Sequence, residues 1–179
     1  MSELFGPVEY EKIKRTLEEA IPSSTLQRKI KEGNAFSVSH RFEGVASDAN
    51  ADLFFGNPSG SGKTVNIVIV EVVSLAQAHV DIYRGNTVTT PGTPLTPVNL
   101  NLGSPNTSVV SVEYGGAYTL GELAVNTVCP GGSHVRAIGA ATEVGETVIA
   151  PEGENFLVRV TNKSASATDL SIRILWWEE

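Results

Sequence analysis

The feature that most restricts the fold of this chain is a change in the spacing of its apolar residues near position 35. Before that position apolar side chains recur every three or four residues, and after it they alternate with polar ones. The first spacing gives a helix one apolar side, whereas alternation gives a strand one apolar face. We therefore predict an N-terminal helical arm over residues 1–34 and a β domain over residues 35–179.

The arm should contain two short helices. The first spans residues 7–21, Pro22 ends it, and the second runs to a stop at Gly33. An amphipathic helix of this kind can dock on its own domain or on a neighbouring chain. The apolar stripe of the first helix consists of Tyr10, Ile13, Leu17 and Ile21.

The β-branched run at 65–73 is the strongest strand signal in the chain and predicts a central strand. So many short strand segments with few helices between them exclude a doubly wound α/β fold. We predict a mainly β domain, built as an antiparallel β-sandwich or jelly roll. The further strand segments are 36–42, 53–55, 78–84, 109–114, 123–128, 134–141, 146–149, 154–161 and 169–177.

The stretch 85–108 interrupts this pattern, because it holds four prolines and three glycines. Compact domains rarely carry structureless loops of that length. We expect either a long structured loop at one end of the sandwich or a segment that binds a partner.

Charge and composition argue against several partners. The chain has 13 Lys and Arg against 20 Asp and Glu, a net charge of -7. That balance is unfavourable for binding nucleic acid or an anionic membrane surface. We also expect no membrane span, because every apolar stretch is far shorter than a bilayer requires. The charged N-terminal residues argue against a classical secretion signal.

One motif imitates a nucleotide-binding loop. Residues 60–64 read Gly-Ser-Gly-Lys-Thr, but the first glycine of a true P-loop would stand at position 57, which is Asn57. A P-loop also needs a helix after it, so that backbone N–H groups face the phosphates. Val65 instead opens the strongest strand segment, and we predict no nucleotide hydrolysis.

The other residues that could bind a metal or act in catalysis are scattered along the chain. His40, His79 and His134 fall on separate strand segments, and only His79 with Asp81 could place two metal ligands on one strand face. Cys129 is the only cysteine, has no His or basic neighbour in sequence, and is expected to be a small buried or semi-buried residue and not a nucleophile. We therefore expect no catalytic, cofactor-binding or metal-binding residues and no enzymatic activity.

Two short glycosylation sequons begin at Asn106 and Asn162. A three-residue pattern occurs often by chance, so we expect neither to be modified.

Trp176 and Trp177 lie at the end of the last predicted strand, followed by Glu178 and Glu179, and their side chains should point to opposite faces of that strand. One indole then joins the core and the other, beside Leu175, needs a cover. That cover could be the arm of the same chain, a neighbouring subunit, or a ligand such as a sugar ring.

Three stretches together resemble small β-sandwich virion proteins of tailed bacteriophages and related archaeal viruses. They are the turn from Leu53 to Val65 with its Asn-Pro-Ser-Gly-Ser-Gly-Lys sequence, the segment from Pro97 to Ser104, and the ending from Ile172 to Glu179. The resemblance covers about residues 45–179. It implies a protein of the virion that decorates the capsid, forms turrets on it, or belongs to the tail.

These observations lead to one principal expectation and two alternatives. The principal one is a non-enzymatic virion protein that forms a homo-oligomer of three, five or six chains and contacts the major capsid protein. The first alternative is a tail-associated module that binds a receptor or host glycan through the 85–108 loop and an outward aromatic side chain: Tyr83, Tyr114, Tyr118 or a tryptophan. The second is a metal-dependent hydrolase or cupin-like enzyme that uses the scattered histidines and carboxylates.

Overall fold

The computed structural model describes residues 25–131, 137–139 and 148–179. Within these ranges the chain forms one helix and fourteen strands. They are α1 (Thr25–Lys31), β1 (Ala35–Val45), β2 (Asn50–Gly56), β3 (Val65–Ser74), β4 (Ala78–Arg84), β5 (Thr87–Thr90), β6 (Thr93–Leu95), β7 (Val98–Asn99), β8 (Ser111–Tyr114), β9 (Ala117–Thr119), β10 (Glu122–Cys129), β11 (Ala137–Gly139), β12 (Val148–Ala150), β13 (Asn155–Asn162) and β14 (Thr168–Glu178).

The strands form two large antiparallel sheets and one small ribbon. The first sheet has the order β11-β3-β14-β1-β7, and β12 also pairs with β3. The second has the order β10-β4-β13-β2-β8-β6. β5 and β9 form the separate two-stranded ribbon. The predicted antiparallel sandwich is therefore confirmed.

The connectivity of the long strands is that of a jelly roll. From β1 to β4, consecutive strands alternate between the two sheets, and the last two long strands, β13 and β14, return to the middle of each. This arrangement places β14 between β1 and β3, and β13 between β2 and β4. Two interlocked Greek keys produce it.

An insertion between β4 and β10, residues 85–121, closes one side of the sandwich. Its β7 pairs with β1 in the first sheet, while β8 pairs with β2 and β6 pairs with β8 in the second. For residues 85–108 the sequence left two alternatives, a long structured loop and a segment that binds a partner. The structure shows a structured loop, which contains β5, β6 and β7.

The core lies between the two sheets and is built by alternation. Trp176 is its largest buried side chain, with its ring centroid 6.2 Å from that of Phe36 and 5.0 Å from that of Phe55. The Phe55 and Trp176 rings meet edge to face, an arrangement that aromatic pairs favour. Inward-facing residues of the long strands surround them, among them Val38, Leu53, Val72, Val80, Val158, Val160, Ile172 and Ile174.

α1 is the second predicted helix of the arm, while the predicted helix over 7–21 lies outside the described residues. α1 stops just before Gly33, which has a φ of 73° and whose missing Cβ would collide with the Ser104 hydroxyl oxygen. Only glycine combines that backbone angle with so close a neighbour. α1 contacts β1 and β14, so it sits on the outer face of the first sheet. No helix among residues 25–131, 137–139 and 148–179 is long and apolar enough to cross a membrane.

Candidate functional site

The Gly-Ser-Gly-Lys-Thr segment forms a turn between β2 and β3. Asn57 is buried beneath it and donates hydrogen bonds from Nδ2 to the Lys63 carbonyl at 2.8 Å and the Ala150 carbonyl at 3.0 Å. Strand β3 begins directly at Val65, as predicted. The helix that a P-loop requires is therefore replaced by a strand, and the turn ties β2 to β12 instead.

The described histidines do not come together. His40 faces inward and stacks on Tyr114 with 3.7 Å between ring centroids, and burial lowers its pKa. His79 lies on the outer face of β4 with Asp81, as the strand period predicts. His134 lies outside the described residues. In the described part of the chain, no group of three or more His, Cys, Asp or Glu side chains could hold a metal ion.

The thiol of Cys129 is buried at the end of β10 and forms no disulfide. Its side chain belongs to the core cluster between the sheets. The prediction of a small buried residue is confirmed.

The last residues of β14 anchor the insertion. The carboxylate of Glu178, which is only 3% exposed, accepts hydrogen bonds from Trp176 Nε1 at 3.1 Å and Ser108 Oγ at 2.5 Å. The backbone N–H of Val109 also points to this carboxylate, at 3.3 Å from Oε1. A buried charge needs such partners, because burial without them is costly. Glu178 thereby fixes the loop before β8 against the core tryptophan.

The cover of Trp177 is the arm of the same chain. Lys29 Nζ on α1 lies 4.7 Å from the centroid of the Trp177 ring, within the range of a cation–π interaction. Its neighbour Leu175 is only 5% exposed. Of the three covers that the sequence leaves open, the structure supplies the first.

One of the two sequons is inaccessible in the folded chain. Asn162 is fully buried and donates from Nδ2 to the carbonyls of Val45 and Ser166, both at 2.8 Å. Asn106 is exposed, but Nδ2 donates to the Gly33 carbonyl at 3.2 Å. The Asn162 amide cannot be reached by a modifying enzyme unless β13 unfolds.

The three tyrosines singled out from the sequence occupy two different faces. Tyr83 and Tyr118 lie on the outer face of the second sheet, where Tyr118 stacks on Phe54 with 5.5 Å between ring centroids. Tyr114 faces the other way and stacks on His40. Burial, together with the charge of Glu113 beside the hydroxyl group, raises the pKa of Tyr118. Among these rings, Tyr83 alone makes no ring-stacking contact with another described residue.

A row of polar side chains holds four strands of the second sheet in register. Arg159 on β13 donates two hydrogen bonds to Asp52 on β2, at 2.8 and 2.6 Å, and the pairing raises the pKa of Arg159. On the next strands Asn126 Nδ2 donates to Asp81 Oδ1 at 2.6 Å. This row fixes β10 on β4 and plays a structural role.

Among the strands that the structure describes, β10 is the longest open sheet edge. It spans eight residues, pairs with β4 on one side, and has no described strand on its other side. The other described edge strands of the two large sheets, β6, β7, β11 and β12, have two or three residues each. An edge strand presents free N–H and C=O groups that can pair with another chain.

Most side chains of β10 are exposed to solvent, including three large apolar ones, whereas Cys129 at its end is buried. Leu123 is 47% exposed, Val125 43% and Val128 49%. Leu123 and Val128 share the outer face with Tyr83 and His79, whereas Val125 lies opposite Ile82 and faces inward. Sequence reasoning identified the strand but not its position at an edge, because edge position depends on the order of strands in the sheet.

Comparison of the chain with family models, curated proteins and solved structures finds no match.

Proposed function

We propose that this protein is a non-enzymatic structural component of a virus particle, which associates with copies of itself and serves as a capsid decoration or turret protein. The observation that supports the proposal best is the open edge of β10, an eight-residue strand with exposed apolar side chains. The resemblance of the Asn57 turn and the Trp-Trp-Glu ending to small virion proteins supports it further.

The fold suits such a role. The insertion closes the side of the sandwich formed by β1 and β2, so association is directed to the side where β10 lies. Cross-strand ion pairs and the buried Glu178 hold the sheets in one arrangement. A rigid module that associates through a preformed strand edge loses little conformational entropy on assembly.

The partners that we propose are copies of this chain, three, five or six in number, and the major capsid protein or other virion proteins. The net charge of -7 disfavours nucleic acid and anionic membranes. The place of action is the virion.

Co-sedimentation tests this proposal. The full chain is expressed together with the capsid proteins encoded beside it, and the assembled shells are purified on a density gradient. We expect the chain to sediment with the shells in a fixed ratio of copies. A chain that stays at the top of the gradient and is monomeric in light scattering would contradict the proposal.

The alternative is a tail-associated module that binds a receptor or carbohydrate. The half-exposed Tyr83 favours it, because its ring lies on the outer face of the second sheet, whereas Tyr114 and Tyr118 stack on other rings. Sugar rings stack on aromatic side chains whose faces are at least partly accessible, and Tyr83 is half-buried. Glycan-array binding that is lost in Tyr83→Ala and kept in Tyr114→Ala would support this alternative over the first.

A further inference from the structure

We infer that the free side of β10 pairs in an antiparallel manner with β10 of a second copy of this chain, about a two-fold axis. The inference deepens the proposed function and rests on its self-association, because it names the partner of the open edge. The pairing would join the second sheets of two copies into one continuous sheet.

The first argument is that β10 lacks the protection that edge strands usually have. Proteins shield such edges with short strands, proline, lysine or bulges that turn the strand away. β6 is three residues long and contains Pro94, and β7 has only two residues. β10 has no proline or lysine, and its irregularity, between Leu123 and Val125, lies near one end. Its last residues, Asn126 to Cys129, pair regularly with β4.

The second argument concerns charge and selects the direction of pairing. Glu122, at the first position, is the only charged residue of β10. Each Glu122 carboxylate already accepts hydrogen bonds from Arg84 on β4 of its own chain. Parallel pairing in register would place the two Glu122–Arg84 pairs next to each other, so that like charges meet without gaining a new partner, which is unfavourable. Antiparallel pairing separates them by most of the length of the strand, roughly 25 Å at 3.3 Å per residue, and salt screens charges over about 8 Å.

The third argument is geometric and favours a second copy over a different protein. A two-fold axis perpendicular to the sheet keeps each side chain on its own face and places a residue near the strand centre opposite itself. In β10 that residue is Val125 or Asn126. Neither carries a charge, so the strand is compatible with its own copy. The exposed Leu123 and Val128 of both copies then lie on one shared outer face.

The pairing also restricts the size of the assembly. Each two-fold contact uses the β10 strands of two chains. Three or five chains would leave one β10 unpaired, whereas two or six chains allow every β10 to be paired. Of the sizes expected from the sequence, the inference selects six, built from three dimers.

Sedimentation equilibrium on the purified full chain tests the inference with a charge-exchange pair. In Val125→Lys and in Val125→Glu the two new like charges lie directly opposite each other if the axis passes through Val125, and are diagonal neighbours about 7–8 Å apart if it passes through Asn126. Each variant alone should therefore associate roughly tenfold or more weakly than the unchanged protein. An equimolar mixture of the two variants places opposite charges across the axis and should restore association. Val148→Lys, at a more exposed valine on β12, is the matched control and should associate like the unchanged protein. Circular dichroism establishes that each variant is folded.

The possible outcomes separate the inference from the proposed function. Weak association of both variants, with recovery in the mixture, supports the pairing. A trimer, a pentamer, or an oligomer insensitive to Val125→Lys overturns the pairing but leaves the virion role in place. If Val125→Lys abolishes co-sedimentation with shells and the mixture does not restore it, β10 pairs with a strand of another protein, and the second copy is excluded.

Discussion

Lys29 Nζ lies 4.7 Å from the centre of the Trp177 ring and 3.6 Å from Oε2 of Glu179. The lysine thus joins the helical arm to the last strand through both an aromatic face and a carboxylate. Its side chain is only 13% exposed, so the contact is shielded from water on most sides. Trp177 is therefore covered by the chain itself.

We expect Lys29→Ala to lower the free energy of unfolding by about 0.5–1 kcal/mol, the range for a partly exposed cation–π contact. Trp177 should gain contact with water, so tryptophan emission should shift to longer wavelength, while the buried Trp176 stays unchanged. Lys31→Ala removes the same charge from an exposed position on α1 and is the control. Equal emission spectra for the two variants would show that Lys29 does not cover the ring.

Glu178→Ala should destabilise the protein strongly. The change leaves Trp176 Nε1 without its acceptor and also removes the acceptor of Ser108 Oγ. A buried donor without a partner costs about 1–3 kcal/mol. Urea denaturation measures the loss, and Glu179→Ala, at a half-exposed carboxylate, should cost about 1 kcal/mol or less. A similar loss in both variants would contradict the anchoring role of Glu178.

Most of the β domain could be predicted from the sequence because alternation is local information. Residues 65–73 and 154–161 read as strands and form β3 and β13. The predicted segments 134–141 and 146–149 include β11 and part of β12, and their remaining residues lie outside the described ranges.

The alternation pattern did not predict β5, β6, β7 and β9, and the reason is physical. These strands have two to four residues and include Pro94, so their pairing partners define them rather than their own pattern. Leu175 is predicted to share the outward face with Trp177, and it is buried without belonging to the core cluster between the sheets. Alternation predicts the face of a side chain but not what covers that face.

The candidate site was less predictable than the fold. The segment 123–128 reads as an ordinary strand, and its lack of proline and charge is visible in the sequence. Its place at the edge follows from the jelly-roll order and from the insertion closing the opposite side of the sandwich. Neither is a local property, so the open edge appears only in three dimensions.

His40 should make stability fall in mild acid. Burial holds its pKa below the ordinary 6.5, so between the two values the unfolded chain binds more protons than the folded one. The free energy of unfolding should therefore decrease as the pH falls through 6.5 and level off below the folded pKa. His40→Gln should flatten this decrease in urea titrations at several pH values, while His79→Gln retains it. An identical pH profile for His40→Gln and the unchanged protein would contradict the buried placement.

Tyr118 should make stability fall in alkali. Its pKa in the folded chain lies above the ordinary 10.0, so above pH 10 the folded chain holds a proton that the unfolded chain has released. The stabilising contribution is complete below pH 10 and is lost as the pH rises toward the folded pKa. Tyr118→Phe should reduce this loss, and Tyr83→Phe, on the same face, controls for removing one hydroxyl group. Equal alkaline profiles for Tyr118→Phe and Tyr83→Phe would show that the hydroxyl of Tyr118 is not held beside Glu113.

Hydrogen–deuterium exchange of the β10 amides tests self-association through the open edge most directly. Alternate amides of an edge strand point to solvent and exchange rapidly, whereas paired amides are protected. We predict that the protection of residues 122–129 rises with protein concentration in the unchanged protein and remains low in Val125→Lys. Rapid exchange along the free side of β10 in a sample that is oligomeric by mass would contradict the account.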